Sequence, residues 1–375
     1  MTKKVLAIGM YDSVHYARWL AQFQDQNIEF LLFPSSPHRR LNSKLKQLLA
    51  NKSGANYSLA PLSRLYGLPL WMADKMFTNS IRGTLLRLIV DKFKPDYVHA
   101  LELQNAGYVS LKALRSKKPS GLKLIVTNYG SDIFWFRRFP KHLAKIQELL
   151  SIADFYACEC ERDVELAREL GFQGEVMPVR PNAGGFGQEV FSQPLKPFGE
   201  REVIAIKGYN GWVGRAHVAI EAIDQISQSL KEFEIVFYSC NRSTIQLAKK
   251  CASKTGLRIT THPKGKLSHS QMLELFGNAA VYVGLSESDG ISTSLLEAMA
   301  MGAVPVQTSS ACCDEWFDSH TGVSIKSIDP ASVALGIIRA LELARDRKAA
   351  VTNRQTIKAK ASEEYVRQAA ITFYR

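Results

Sequence analysis

Short apolar runs alternate with helical stretches along almost the whole chain, and this alternation limits the possible folds more than any other feature. The runs are apolar throughout, which is typical of parallel strands covered by helices on both faces. Their spacing predicts an α/β fold built on parallel sheets. The predicted strands are residues 5–8, 29–33, 97–100, 123–127, 155–158, 203–207, 234–239, 258–261, 280–284 and 304–307.

The alternation breaks once, at residues 178–202, where prolines and glycines are frequent and we expect no helix. A chain of 375 residues is long enough for about two domains. We therefore predict two Rossmann-like, doubly wound domains, at 1–185 and 186–360. If the domains face each other, the carboxyl ends of both sheets border a central cleft, which is where open α/β sheets bind ligands.

The composition is that of an ordinary globular protein, with 46% hydrophobic and 22% charged residues. It excludes disordered, collagen-like and coiled-coil architectures. No run of 18 apolar residues occurs, and the first apolar run is too short for a signal peptide. The six cysteines lack the C-x-x-C spacing of a zinc site. We expect a cytoplasmic protein with reduced thiols.

Positive charge is concentrated near the amino terminus. The net charge is +13, and residues 1–150 carry 23 Lys and Arg against nine Asp and Glu. Such a basic face attracts anionic lipid headgroups, pyrophosphate-linked acceptors or nucleic acid, or it only aids solubility. Basic clusters lie at residues 38–46, 115–118 and 137–145. Five aromatic residues either help the protein bind a membrane surface or belong to the core: Trp71, Phe77, Phe134, Trp135 and Phe136.

Residues 284–306 carry the most chemical information. A buried strand ends near Gly284, a polar loop follows, and a helix begins around residues 292–294 with suitable N-cap residues. A helix start at the carboxyl end of a strand offers free N–H groups to an anion. Asp289 and Glu297 are eight residues apart, and both can reach one ligand, with Glu297 accepting hydrogen bonds from a ribose diol. The alternative is that Asp289 caps the helix and Glu297 lies on the surface.

This window resembles the E-x7-E region of the retaining glycosyltransferases of family GT4, which have the GT-B fold, with Asp289 in place of the first Glu. The resemblance implies that Glu297 binds the ribose and Asp289 the donor sugar. It implies a nucleotide diphosphate sugar as donor, with UDP- or GDP-sugars favoured, and neither cofactor nor metal. The residues that would surround the diphosphate are Gly290, Ile291, Ser292, Thr293 and Ser294.

Two more segments of the second domain fit this family. Residues 203–215 resemble the strand and loop that carry a diphosphate-binding pair of cations, here Lys207 and Arg215. Two cations beside a pyrophosphate stabilise the leaving group as the glycosidic bond breaks. The loop with Lys266 and Leu267 would border the base pocket. The family's terminal helix, expected at 361–375, would return to the first domain.

The first domain resembles the family's acceptor domain less closely. In residues 123–132, Tyr129 stands where the family has a His that contacts the donor sugar. His99 ends a predicted strand and is either catalytic or a core residue, and Asp132 either contacts a substrate or caps a helix. The candidate residues at the cleft are Tyr11, Asp12, Ser13, His15, Glu102, Asn128 and Asp132. The loop with Tyr11 to His15 is otherwise a plain strand–helix connection.

We therefore expect a metal-independent, retaining hexosyltransferase. It would use a glycan or a polyisoprenyl-pyrophosphate-linked acceptor in cell-surface polysaccharide assembly, with peripheral binding to the inner face of the plasma membrane. One alternative is a sugar-nucleotide 2-epimerase of the same fold, which needs no acceptor. Another is a non-enzymatic protein that binds nucleic acid or anionic membranes. Nucleic acid is not expected as a partner, because no helix-turn-helix, zinc-finger or RNP pattern occurs.

Overall fold

The computed structural model describes residues 2–38, 40–51, 54–61, 63, 67–77, 80–182 and 184–375. Arg39, one member of the first basic cluster, lies outside the described residues. The chain forms two compact units. Unit 1 comprises Met1–Gly185 and Glu364–Arg375, and unit 2 comprises Phe186–Glu363. None of the helices in the described ranges has the length and apolar character needed to cross a membrane.

Unit 1 is built on a seven-stranded parallel sheet with the strand order β3-β2-β1-β4-β5-β6-β7. The central strands are buried on both faces, which explains why they are apolar throughout. The strands are β1 (Lys3–Gly9), β2 (Ile28–Pro34), β3 (Asn56–Leu59), β4 (Tyr97–Leu101), β5 (Lys123–Thr127), β6 (Phe155–Ala157) and β7 (Glu175–Val176).

Within the described residues, eight α-helices belong to unit 1, and one of them, α15 (Glu363–Ile371), begins one residue before the terminal segment of this unit. The last of them returns from the carboxyl terminus, and the aromatic residues that follow it pack beside Trp19 and Phe23 in the core. The helices are α1 (Val14–Ala21), α2 (Ser43–Ala50), α3 (Leu68–Met76), α4 (Ser80–Phe93), α5 (Tyr108–Leu114), α6 (Pro140–Ile152), α7 (Glu161–Glu169) and α15 (Glu363–Ile371).

Unit 2 repeats this plan with a six-stranded parallel sheet in the order β10-β9-β8-β11-β12-β13. Counted within each unit, the first six strands have the 3-2-1-4-5-6 order of a Rossmann fold. The prediction of two Rossmann-like α/β units is confirmed. The strands are β8 (Val203–Lys207), β9 (Glu234–Cys240), β10 (Arg258–Pro263), β11 (Ala279–Gly284), β12 (Val304–Thr308) and β13 (Val323–Ile325).

Helices cover both faces of this second sheet. One of them, α8, lies inside the segment where we expected no helix, so that expectation is wrong. The short helix forms because Val190 and the preceding Phe186 are buried in the core of unit 2. The helices are α8 (Gln188–Phe191), α9 (Ala216–Gln225), α10 (Arg242–Thr255), α11 (His269–Asn278), α12 (Thr293–Ala300), α13 (Pro330–Ala344) and α14 (Arg347–Ala361).

Candidate functional site

Lys207 and the start of α12 meet at the carboxyl edge of the unit 2 sheet. Lys207 is the last residue of β8, which pairs with β11. Its Nζ donates a hydrogen bond to Ser292 Oγ over 3.2 Å. Ser292 is the N-cap of α12 and its Oγ lies 3.2 Å from Ser294 Oγ. The structure thus joins a cation predicted from one motif to the helix start predicted from another.

The first turn of α12 keeps its anion-binding character. Ser292 has the extended backbone of an N-cap, but among the described residues no side chain caps this turn. Its hydroxyl pairs with Lys207 instead, so the first N–H groups keep the exposed partial charge of a helix start. The positive side chain of Lys207 therefore lies beside the positive end of the α12 dipole. This arrangement suits a diphosphate.

Glu297 lies in the second turn of α12 and is 7% exposed. Its Oε1 is 2.8 Å from Nε2 of His269, the first residue of α11, whose side chain is 54% exposed. The contact engages one carboxylate oxygen, and a carboxylate can accept further hydrogen bonds from a ligand. His269 contacts a candidate site residue, and the sequence analysis did not single it out. Lys266 is exposed in the loop before α11, and Leu267 packs into the core below it.

Asp289 sits in a loop anchored to the end of β12. Ser310 Oγ donates to Ser286 O over 2.5 Å, and Thr308 Oγ1 donates to the same carbonyl over 2.7 Å. Asp289 Oδ1 accepts the N–H of Gly290 over 3.0 Å, and both Gly290 and Ile291 are buried. The fixed loop places the Asp289 carboxylate two residues before Ile291 and three before the N-cap of α12. Thr293 opens the helix.

Arg215 is engaged within unit 2. Its Nη2 lies 2.7 Å from Glu287 Oε1, and its Nη1 donates to Gly211 O over 3.0 Å and to Gly214 O over 2.9 Å. The guanidinium therefore closes the glycine-containing loop 208–215 and ties it to the loop before α12. This pairing was not visible in the sequence, where Arg215 and Lys207 looked equivalent.

Behind this surface lies a buried aromatic layer. Burial raises the pKa of Tyr238 well above its usual range, so its hydroxyl stays protonated beside Tyr282 and Ser294. Gly284 ends β11 against the same layer. A Cβ there would lie 2.6 Å from Tyr282 Oη and 2.2 Å from Gln307 Oε1, which only glycine avoids. The layer supports the strand end from which the Asp289 loop departs.

In unit 1 the first loop separates its candidate residues. Ser13 is the N-cap of α1 and accepts N–H groups from His15 and Tyr16. Tyr11 is fully buried and donates to Leu32 O over 2.5 Å. Asp12 and His15 are exposed. Of this set, only Asp12 and His15 present accessible charged or ionisable groups, while Tyr11 and Ser13 shape the loop.

His99 is an interior residue of unit 1. It is completely buried, with Nδ1 2.6 Å from Tyr374 Oη and Nε2 2.6 Å from Thr127 Oγ1. Burial lowers the pKa of His99 to about 3, with a smaller contribution from Arg180, so the ring is neutral. Both ring nitrogens are occupied by the fold, which corrects the expectation that His99 contacts a substrate. It follows the alternative, a satisfied core histidine.

Tyr129 and Arg180 are polar side chains that influence each other electrostatically near this core. Burial raises the pKa of the Tyr129 hydroxyl, which has no hydrogen-bond partner among the described residues. Arg180 is 1% exposed and lies over the rings of Trp19 and Phe373 at 4.5 and 4.7 Å. Burial lowers the pKa of Arg180 to about 10, so it remains a cation. The sequence analysis did not single out Arg180, because nothing local marks a buried arginine.

The acidic candidates of unit 1 face inward. The Glu102 carboxylate accepts N–H groups from Asn105 and Ala106, and Glu102 has a positive φ of 95°. Asp132 Oδ2 accepts the N–H groups of Leu103 over 2.9 Å and of Tyr129 over 3.0 Å. Burial raises the pKa of both carboxyl groups. These contacts fix the loops after β4 and β5.

Asn128 completes this network of loops. Its Nδ2 donates to Asp163 Oδ2 over 2.6 Å, and its Oδ1 accepts the N–H of Ile133 over 3.2 Å. Asn128 is fully buried, as is Asp163. The side chain therefore holds β5 to the start of α7. Substrate contacts predicted for Asn128, Glu102 and Asp132 would require these bonds to be shared.

Two family models match the chain, each over one unit. The model described as glycosyl transferases group 1 matches residues 188–356, and the model described as glycosyl transferase 4-like matches residues 4–156. The chain belongs to the GT4-type glycosyltransferases of the GT-B fold. In this glycosyltransferase, Lys207, Ser292 and Glu297 all lie within the segment matched by the group 1 model.

Solved structures of glycosyltransferases share the fold over almost the whole chain. A sucrose-phosphate synthase from Thermosynechococcus elongatus has a TM-score of 0.72 at 13% identity, covering 100% of this chain and 98% of its own. A glycosyltransferase from Rickettsia africae has a TM-score of 0.70 at 14% identity, with the same coverage. Anabaena HepE in complex with UDP-glucose has a TM-score of 0.67 at 12% identity, covering 98% of each chain. No curated protein sequence matches the chain significantly.

Proposed function

We propose that this glycosyltransferase moves a sugar from a nucleotide diphosphate sugar, UDP- or GDP-linked, to a hydroxyl of a glycan or polyisoprenyl-pyrophosphate-linked acceptor. The transfer is retaining and metal-independent, and it serves cell-surface polysaccharide assembly at the cytoplasmic face of the membrane. The observation that carries the proposal is the 3.2 Å contact between Lys207 Nζ and Ser292 Oγ at the start of α12. A solved structure of HepE, which shares this fold, contains UDP-glucose, and this supports a nucleotide diphosphate sugar as the donor.

In this proposal each part of the donor meets a group of unit 2. The ribose hydroxyls bind Glu297, beside His269. The diphosphate binds Lys207 and the first N–H groups of α12. Arg215 holds the loop beside the diphosphate and shares its charge with Glu287. Asp289 accepts hydrogen bonds from hydroxyls of the donor sugar. The remaining backbone around the diphosphate belongs to Gly290, Ile291, Ser292, Thr293 and Ser294.

The chemistry follows from the charge that these groups can stabilise. The bond from the anomeric carbon to the diphosphate oxygen breaks, and negative charge develops on that oxygen. Lys207 and the helix start stabilise this charge without a metal ion. The acceptor oxygen bonds to the anomeric carbon from the same face, and its proton passes to the leaving phosphate. Retention of configuration results. Unit 1, with its excess of basic residues, binds the anionic acceptor.

Ligand-induced thermal stabilisation tests the donor site directly. We expect one of UDP, GDP, ADP and CMP to stabilise the protein without added metal, because a ligand that binds only the folded state raises its stability. Glu297→Ala should remove most of this shift. Glu221→Ala, an exposed residue on α9, is the matched control and should keep it. A normal shift in Glu297→Ala would refute the ribose assignment.

Transfer assays test the chemical step. Lys207→Ala should lower kcat more than it weakens nucleotide binding, since the developing charge is greatest in the transition state. NMR of the glycoside should show the anomeric configuration of the donor. An inverted product would refute retention, and full activity in Lys207→Ala would remove this residue from the mechanism. Loss of activity on chelation with EDTA would refute metal independence.

A further inference from the structure

Helices α3 and α4 of unit 1 expose a group of large apolar side chains. Eleven large hydrophobic residues are exposed in the described part of the chain, and five of them lie within residues 72–88. We define these five as the α3–α4 face. Its members, with their exposed fractions, are Met76 (80%), Phe77 (62%), Leu88 (61%), Met72 (55%) and Ile81 (38%).

The face includes side chains of both helices. Met72 and Met76 are one turn apart on α3, and Ile81 and Leu88 are two turns apart on α4. Between them lies an open apolar groove of about 690 Å³, lined by Met76, Phe77, Ser80, Ile81, Thr84, Leu85 and Leu88. The opposite side of α4 packs into the core of unit 1. A helix that is apolar on both sides is typical of burial against a second apolar phase.

Cationic side chains border this face. Lys75 lies on α3 with its Nζ 5.5 Å from the Trp71 ring centre. Arg87 on α4 hydrogen-bonds to the carbonyl of Lys117, which brings the exposed Lys117 alongside the helix. We define the exposed Lys75 and Lys117 as the basic rim.

Acidic side chains near the face are already neutralised. Asp91 on α4 pairs with Arg87 over 3.0 Å, and the buried Asp74 pairs with Arg82. The surrounding sequence adds to the positive field, because residues 1–150 carry 23 basic and nine acidic residues. A partner that binds this face must therefore present an apolar surface next to negatively charged groups.

We infer that the α3–α4 face docks on an anionic lipid bilayer, with its apolar side chains among the acyl chains and the basic rim among the headgroups. A bilayer supplies both complements side by side. A second copy of the chain would bring an identical basic rim against the first, and like charges oppose that contact. The inference deepens the proposed function, because it locates the surface that contacts the membrane. It rests on the proposed function in one respect, which is that the acceptor is linked to a lipid.

Vesicle flotation with the full chain tests this docking. The protein should bind phosphatidylglycerol-rich vesicles at least about ten-fold more tightly than phosphatidylcholine vesicles, and added salt should weaken the binding. The double variant Met76→Ser with Leu88→Ser should lose at least about ten-fold in affinity for the anionic vesicles, because it removes the inserted side chains. Lys117→Gln should weaken binding and reduce its dependence on salt.

Leu335→Ser is the matched control. Leu335 is 72% exposed on α13 of unit 2, so its loss removes an equally exposed apolar side chain from elsewhere, and binding should match the unmodified protein. Unchanged vesicle binding by the double variant, or equal binding to both lipids, would overturn the inference. So would a dimer that the double variant abolishes, because it would identify a second copy as the occupant.

Nucleotide binding separates this inference from the proposed function. Each variant should retain the thermal shift with the stabilising nucleotide, and hydrogen-exchange protection of β1 and β4 confirms that unit 1 is folded. If the protein binds vesicles but shows no thermal shift with any nucleotide, the membrane-docking inference stands and the proposed donor site is refuted. If a nucleotide shifts the melting temperature but the protein does not bind vesicles, the proposed donor site stands and the membrane-docking inference is refuted.

Discussion

His99 is held through both ring nitrogens inside unit 1, where burial lowers its pKa to about 3. In the unfolded chain the ring has its usual pKa of about 6.5. The unfolded state therefore binds the proton first as the pH falls. Stability contributed by the neutral ring is present above pH 6.5 and is lost between about pH 6.5 and 3.

Replacing His99 by Gln should flatten this dependence. Over that window, the unmodified protein should lose up to about 1.4 kcal/mol of unfolding free energy per pH unit more than His99→Gln. Urea unfolding at several pH values, followed through tryptophan fluorescence, measures the difference. The buried carboxyls of Glu102 and Asp132, with raised pKa values, act in the opposite sense in both proteins and cancel. Parallel stability curves would contradict the prediction.

His269 should influence the nucleotide through Glu297. The 2.8 Å contact fixes the carboxylate, so His269→Ala should weaken binding of the stabilising nucleotide by roughly 2–10-fold, the range for one hydrogen bond. His269→Gln, which keeps a donor, should restore part of the affinity. His320→Ala, an exposed residue of the same unit, is the control. Isothermal titration calorimetry gives the constants, and equal affinity in His269→Ala would show that Glu297 needs no such support.

Candidate site residues could be identified where a local motif carries them. Lys207 was predicted from a strand end, Ser292 from a helix start and Glu297 from its resemblance to the E-x7-E region. The structure brings Lys207 and Ser292 together. His269 and the pairing of Arg215 with Glu287 were not predictable, because they depend on how separate loops fold over one another. His99 was ambiguous, since a strand-end histidine reads alike whether it faces a ligand or the core.

At the scale of single elements, apolar runs located ten of the thirteen described strands and missed three at the sheet edges, β3, β7 and β13. The predicted strands 203–207 and 280–284 nearly match β8 and β11. In contrast, β3, β7 and β13 are short and contain Asn, Ser or Glu, so they form no continuous apolar run. Helix α8 also escaped prediction, because its four residues depend on burial of Val190 rather than on local preference.

The end of α12 makes a strict demand on Gly302. This residue has a φ of 91°, and a Cβ there would lie 2.5 Å from Leu195 Cδ2 and 2.6 Å from Arg201 Nη2. Gly302→Ala should lower the free energy of unfolding of unit 2 by roughly 1–3 kcal/mol from backbone strain, and the two close contacts add to this loss. Gly199→Ala is the control, since its Cβ would meet nothing within 4 Å. Chemical denaturation measures both, and equal stabilities would show that the turn relaxes freely.

At the scale of the whole molecule, the two units depend differently on the carboxyl terminus. Phe373 and Tyr374 belong to the core of unit 1, and Arg180 lies over the Phe373 ring. The sheet of unit 2 has its own core, to which residues 364–375 do not contribute. Removing these residues therefore affects one unit by loss of packing.

Deletion of residues 364–375 should destabilise unit 1 selectively. Hydrogen exchange should show lost protection in β1 and β4, which adjoin Tyr374 and His99, while β8 and β11 stay protected. The nucleotide thermal shift, which depends on unit 2, should persist at reduced melting temperature. Equal loss of protection in both sheets would mean that the units unfold as one, contrary to their separate cores.

The return of α15 to unit 1 also sets an order of events during synthesis. A ribosome makes nearly all of unit 1 first, then the whole of unit 2, and only then the residues that fill the last part of the unit 1 core. Unit 2 is contiguous and has its complete core available earlier. The nascent chain thus carries a finished domain behind an unfinished one, and the part made first is the part completed last.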